Sequence, residues 1–389
     1  MAGLGEVFAA FAKLGVTAFG GPVAHLGYFR SEFVERRGWL DDRTYGEYVA
    51  LAQFLPGPAS SQVGMALGAH RAGWLGGLAA WTAFTLPSAL LMIAFAYGVV
   101  VLGDVRGAGW LHGLKLVAVA VVIQALWQMA NNLCPDRPRA ALALGAAGVA
   151  LLVPSVWGQV GAIGLGALLG AAAFARPLPE GAQDGLKVSR AGGALMLAAF
   201  FVLLLAVPPL ASGVDGPLAL FDAFYRAGAL VFGGGHVVLP LLQAETVPRG
   251  WLDADLFLAG YGAAQALPGP LFTFGAYLGA AKAGDPTGVL GGLIALVAVF
   301  LPGALLIFGV LPFWRRLRER RRVAGGVTGA NAAVVGILLA ALYDPLWTGS
   351  VGGALDFVFV LAALGLLMLL RTPPWAVVGL GALGGAVLL

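Results

Sequence analysis

Two cations stand inside apolar runs of this chain, Lys13 in "FAAFAKLGVTAF" and Arg226 in "FYRAGALVF", and each is followed six residues later by Phe-Gly-Gly. An ionisable side chain held among apolar neighbours is costly to desolvate, so it points to a ligand of opposite sign, an anion. Downstream of both lies a second repeated signal, "AQFLPGPASSQ" (52–62) and "AQALPGPLFTF" (264–274), which adds Gln53, Gln265, Ser60, Ser61 and Thr273 as uncharged donors. Glu32 and Glu245 also recur, and with His25 they are candidates to carry a proton. This chemistry is binding without bond-making. No GxSxG, HExxH or P-loop pattern is present, and Cys134 stands alone. The four histidines (His25, His70, His112, His236) never fall three to five residues apart. A non-enzymatic protein with neither cofactor nor metal is expected.

The elements that must position these residues are membrane helices. Of the 389 residues, 60% are hydrophobic and 11% charged, whereas a soluble domain carries about 25% charged residues. Apolar runs recur at 81–102, 116–130, 191–210, 289–311 and 351–370. Each comes near or exceeds the roughly 20 residues that span a ~30 Å hydrocarbon core. A barrel would show short alternating strands instead. The N-terminus shows no basic region and no small-residue cleavage site, so no removable signal is expected. The expectation is an all-α polytopic protein of the inner (plasma) membrane, with lipid as its surroundings and no nucleic-acid partner; association of two copies into a homodimer is left open.

The chain is written twice. "KLGVTAFGGP" (13–22) aligns with "RAGALVFGGG" (226–235), "GWLDD" (38–42) with "GWLDAD" (250–255), and "AQFLPGP" (52–58) with "AQALPGP" (264–270). "LPSALL" (86–91) meets "LPGALL" (301–306), "GLKLVAVAVV" (113–122) meets "GANAAVVGIL" (329–338), and "GLGALLG" (164–170) meets "GLGALGG" (379–385). Matched blocks in order mean duplication. The expected organisation is a first repeat over 1–175, a polar linker plus one connecting helix over 176–214, and a second repeat over 215–389. One extra crossing turns the second copy upside down. Loop charges agree: with the N-terminus in the cytoplasm, Arg137, Arg139, the 176–190 linker and "RRLRERRR" (315–322) fall on the cytoplasmic side. The outer loops keep only Arg106, Arg249 and Lys282, as the positive-inside rule requires.

Within each repeat the first segments are broken by glycine and proline into pieces at 5–19, 22–37, 42–54 and 59–70, with counterparts at 217–232, 236–249, 253–266 and 271–282. Short interrupted segments at matching places in inverted halves mark a transporter's substrate site. A break frees backbone groups that lipid cannot satisfy, so it survives only inside protein or beside a water-filled cavity. Gly20, Gly21 and Pro22, Gly57 and Pro58, Gly233, Gly234 and Gly235, and Gly269 and Pro270 therefore read as four helix starts aiming amides and positive dipole ends at one anion site. Lys13 lies two turns before Gly20 and Arg226 is its match, so the two cations would flank the two-fold axis and suit a dianion. The competing accounts are helix kinks made for packing and cations that reach for an interface. Gly166/Gly170 and Gly381/Gly385 read as close helix contacts.

The blocks "F-x-K-L-G-x-T-x-F-G-G-P-x-A-H-x-G-Y-F-R", "GWLDD" and "A-Q-x-L-P-G-P" and the "FGGG…LP" restart resemble the chromate ion transporter (CHR) family in its long two-domain form, from about residue 5 to 389. The resemblance implies a membrane carrier with two homologous halves that exports chromate, with sulfate as a related oxyanion; proton coupling is compatible with it. It places Lys13, Gly20, Gly21, Pro22, His25, Arg30, Glu32, Gln53, Pro56, Gly57 and Pro58 in the family's functional motifs. The residues alone reach an inverted-repeat anion transporter, and an oxyanion importer or an anion channel stays open beside it.

Overall fold

A computed structural model describes residues 2–102, 107–175, 186, 188–213 and 215–388, and it is helical, with no strand among them. The first half comprises α1 (Ala2–Thr17), α2 (Gly21–Phe29) continued by a π-helical turn to Arg36, α3 (Asp42–Phe54), α4 (Ala59–Leu102), α5 (Gly109–Leu133), α6 (Arg137–Leu152) and α7 (Val156–Ala173). The connecting α8 (Arg190–Ala211) follows. The second half comprises α9 (Pro217–Leu230), α10 (Val238–Thr246), α11 (Ala254–Ala264), α12 (Phe274–Ala281), α13 (Gly288–Val310), the short α14 (Trp314–Arg318), α15 (Arg321–Ala341), α16 (Ala354–Met368) and α17 (Pro374–Leu388). Residues 176–185 and Lys187 of the expected linker, Arg106 and the first residue lie outside the described residues.

Among the described residues, six helices are long and apolar enough to cross a membrane: α4, α5, α7, α8, α13 with its continuation to Leu317, and α15 with its continuation to Trp347. The expected breaks are present. α4 is two helices joined at Ala72 (φ −140°) and Gly73 (φ 66°), the latter a conformation open to glycine, so 59–71 is a short piece broken from the longer apolar helix that follows. Its counterparts in the second half are the separate α12 and α13.

Contacts made twice define the pseudo-two-fold. α6 and α7 of the first half pack on α15 of the second, while α16 and α17 of the second pack on α5 of the first. The reason is small residues at matched positions. A Cβ on Gly113 would stand 2.1 Å from Gly381 O, and one on its match Gly329 would stand 2.0 Å from Gly166 O. Backbones approach this closely only where side chains are absent. The same holds within each half: a Cβ on Gly68 would meet Gly76 O at 2.3 Å, and one on Gly279 would meet Gly291 O at 2.2 Å. The glycine pairs expected to serve packing do so. Because the obstacle at Gly113 and Gly329 is backbone on a facing helix, Gly113→Ala or Gly329→Ala should each lower stability by about 1–3 kcal/mol. This would be read as a lower unfolding midpoint in detergent. Gly145→Ala, on α6 with nothing within 4 Å, should be neutral or stabilising.

Matched charged clusters cap the halves. Trp39 lies under Arg37 and Arg71, each 5.7 Å from its ring centroid, and its match Trp251 lies under Arg249 and Lys282, each at 5.0 Å. Glu32 pairs with Arg36 at 3.0 Å and Glu245 with Arg249 at 3.0 Å, both one turn apart on their helices.

Candidate functional site

α1 ends at Thr17 and α9 at Leu230, so the carbonyls of their last turns lose the helical donors that would have followed. The other half supplies them. Gly269 donates its N–H to Ala18 O at 2.9 Å, and Gly57 donates to Val231 O at 2.7 Å. Ala18 matches Val231 and Gly57 matches Gly269, so each break is closed by the opposite half's Leu-Pro-Gly-Pro turn. Both glycines sit at positive φ, 118° for Gly57 and 90° for Gly269, where a side chain would be strained. The two Phe-Gly-Gly breaks meet nearby: a Cβ on Gly235 would lie 3.4 Å from Pro22 Cγ.

Two cavities open at this junction. The larger, about 810 Å³, is lined by Arg43, Gly46, Glu47, Ala50 and Gln53 of α3, by Gly20 and Pro22, and by Gly57. Gly233, Gly234, Gly235 and His236, together with Gln128, Met129 and Asn132 of α5 and Ala324, Val327, Thr328 and Asn331 of α15, complete it. The smaller, about 460 Å³, is lined by Gly20, Gly21, Pro22, Gln124, Gln128, His236, Gln265, Gly269 and, in the loop between α16 and α17, Arg371 and Thr372. Gly20, Pro22, Ala125, Gln128 and His236 belong to both. The breaks and one face of α5 thus stand between the two.

The polar lining is chiefly amide and hydroxyl. Gln53, Gln124, Gln128, Asn132, Gln265, Thr328 and Asn331 present neutral donors, with Arg43 at the first turn of α3 and Arg371 in the α16–α17 loop as cations. Asn331 Oδ1 is buried and has no partner among the described residues, so its amide can turn to a ligand. Arg371 holds φ 54°, an uncommon conformation for a residue with a side chain. Neutral donors around a dianion hold it by hydrogen bonds without burying a counter-charge.

Ten of the site residues expected from sequence line the cavities: Gly20, Gly21, Pro22, Gln53, Gly57, Gly233, Gly234, Gly235, Gln265 and Gly269. Pro58, Ser60, Ser61, Pro270 and Thr273 line neither. Ser60 Oγ lies 3.3 Å from His25 Nδ1, and Thr273 Oγ1 donates to Pro270 O at 2.9 Å. His25 is buried, its Nε2 3.2 Å from Ala18 O. The four helix starts are not alike. α2 opens with Pro22 in its first turn, but the matching restart, with Gly235 where the first half has Pro22, is a 3₁₀ turn, and so is Leu271–Thr273. Proline presets a helical φ and glycine does not.

The pair of matched cations is not assembled. Lys13 is exposed and Arg226 is not; neither lines either cavity. Arg226 lies 2.9 Å from Asp222 Oδ2 and 2.7 Å from Glu245 Oε1. Glu32 and Glu245 hold arginines, Glu32 also pairing with Arg37 at 2.7 Å, and neither lines a cavity. The residues that sequence reasoning passed over are Gln124, Gln128 and Asn132. They recur every fourth residue along "QALWQMANN", one polar stripe down an apolar helix. His236, which the sequence brought in only as one of four histidines with no three-to-five spacing, lies 2.7 Å from Tyr261 Oη and borders both cavities.

Comparison with known proteins agrees with this architecture. A family profile described as "Chromate transporter" matches residues 5–212 and again 218–386. The chain is 30% identical over 351 residues to a protein of Pseudomonas aeruginosa called "Chromate transport protein", covering 87% of this chain and 80% of that one. A "Probable chromate transport protein" of Synechococcus elongatus is 29% identical over 333 residues, 85% of this chain and 82% of its own length. An "Uncharacterized transporter" of Bacillus subtilis is 38% identical over 122 residues, 31% of this chain and 66% of its own. No solved structure matches the chain.

Proposed function

The chain belongs to the chromate transporter family, and from that premise we propose that it is a secondary carrier moving chromate, or another tetrahedral oxyanion dianion, out of the cell by alternating access. The observation that carries this reading is the junction itself. Matched helix breaks from two inverted halves meet between two cavities, and most of the donors around them are neutral, with Arg43 and Arg371 as the cations of the lining. Such a junction can hold a dianion firmly enough to select it and loosely enough to release it. The relatives' names supply chromate; sulfate shares its charge and shape.

Efflux is taken from the resemblance to chromate exporters; the larger cavity bears only on where the anion would load in this conformation. Its lining includes Arg43 and Trp314, the latter leading into the basic segment 315–322, which the positive-inside rule puts in the cytoplasm together with the N-terminus and the 176–190 linker. The cavity is then a cytoplasmic vestibule in the inner membrane. The repeats are taken as 1–175 and 215–389, joined through 176–214. Coupling to protons, through Glu32, Glu245 or His25, belongs to the same proposal; the arginines beside both glutamates favour a structural duty for those two.

Flux into proteoliposomes tests the reading. Saturable chromate uptake is expected, inhibited by sulfate, indifferent to chloride, and accelerated by chromate on the far side. A proton gradient that leaves the rate unchanged would remove the coupling. Unsaturable chloride current would make the protein a channel, and absence of chromate movement would overturn the assignment.

A further inference from the structure

The larger cavity lies between α3 and α15, both of which line it. Their two-fold counterparts are α11 and α5, and there the gap is shut. The register that carries Gly38 to Gly250 and Ala52 to Ala264 takes Arg43 to Asp255 and Ala50 to Gly262. The register that carries Gly113 to Gly329 takes Lys115 to Asn331 and Leu114 to Ala330. Arg43, Ala50 and Asn331 line the open cavity. Their counterparts touch one another instead. A Cβ on Gly262 would stand 2.5 Å from Leu114 O, so α11 lies directly on α5. Across the same contact Lys115 Nζ donates to Asp255 Oδ1 at 2.6 Å. Lys115 is 7% exposed, and the neighbouring Ala259 on α11 is fully buried. One end of the junction has an open wall, and the matching place at the other end has an ion pair.

We propose that Lys115 and Asp255 latch a second anion cavity, the two-fold image of the 810 Å³ one, which opens on the opposite face. This rests on the carrier reading above. Inverted halves reach the other state by exchanging conformations; α11 then leaves α5 as α3 has left α15, and Lys115 becomes a lining residue. The chemistry suits the cargo. An ammonium parted from its carboxylate in a part-buried place is costly, and an oxyanion dianion is the ligand that takes the place of Asp255. The latch therefore opens more readily with anion present than without it, which resists leakage of an empty carrier.

Cysteine accessibility in the reconstituted full chain tests this, with Cys134→Ser as background and a membrane-impermeant maleimide as probe. Ala259→Cys reports on the Asp255 face and Ala50→Cys on the open cavity. Adding Asp255→Asn should speed labelling of the first by about 5- to 100-fold, the range of ordinary coupling energies, and slow labelling of the second. Lys115→Gln should act the same way, and the charge-swapped pair Lys115→Asp with Asp255→Lys should return both rates toward the parent. Chromate added to the parent should also speed labelling at Ala259→Cys. Rates that ignore Asp255→Asn and Lys115→Gln, or a swap that restores nothing, overturn the latch. Labelling is read without transport: a latch that responds in a protein that moves no chromate would sink the carrier reading and leave the latch standing.

Discussion

Arg226→Ala is expected to cost the folded protein about 3–5 kcal/mol, the usual penalty for removing one partner of a buried ion pair. Arg226 bridges Asp222 and Glu245, whose side chains are 5% and 3% exposed. Without the guanidinium, among the described residues Asp222 has no cation left and Glu245 keeps only Arg249, at 3.0 Å. The remaining carboxylates cannot be rehydrated where they stand, so the loss should show in unfolding in detergent before it shows in transport. Arg226→Met combined with Asp222→Asn and Glu245→Gln removes the uncompensated charges and should recover most of the loss. Lys13→Ala, at the matched but exposed position, should change stability by no more than about 0.5 kcal/mol. A stable Arg226→Ala protein whose flux is abolished would return Arg226 to the substrate path.

Gln128→Leu is expected to raise the KM for chromate about 10- to 100-fold while leaving unfolding unchanged. Gln128 borders both cavities, so under the proposed carrier reading the anion meets it from either side. A hydrogen bond from an amide to a charged oxygen is worth about 1.5–3 kcal/mol, which sets the size of the effect. The side chain is exposed to the cavity, so leucine of similar volume fits without a clash and strands no buried partner. An unchanged KM would move the binding position off α5. A loss in kcat at constant KM would give Gln128 a part in the conformational step instead.

The repeat was the most legible property of the chain, because duplication constrains contacts as well as residues. Ala18 matches Val231 and Gly57 matches Gly269 in the sequence, so the bonds Gly269 N–H to Ala18 O and Gly57 N–H to Val231 O are one contact made twice; the match gave the equivalence of the residues, and the structure gave the contact. Lys13 misled for a definite reason. Two turns would bring it onto the face of Gly20 only if the helix continued, but α1 ends at Thr17 and Gly20 takes φ 99°. Periodicity does not carry across a break. The α5 amides escaped notice because a search for an anion site weighs charge, whereas the donors here are neutral and announce themselves only by spacing. The 3₁₀ restart at Gly235–Val237 lay beyond reading by symmetry, since Gly235 in place of Pro22 changes the backbone without changing the motif's outline; the one at Leu271–Thr273 follows a proline matched in both halves and has no such explanation.

The crossed bonds at the breaks make the two halves mutual chaperones. Neither repeat can complete its own first helix in lipid, because the donor that finishes it belongs to the other, and each also lends its last hairpin to its neighbour's long helix. A half made alone would enter the bilayer with a bare carbonyl and an uncovered glycine face. Joining the copies in one polypeptide guarantees that they arrive in equal numbers. It also binds their histories: a change to either Leu-Pro-Gly-Pro turn is felt first in the opposite half, so the two cannot drift independently.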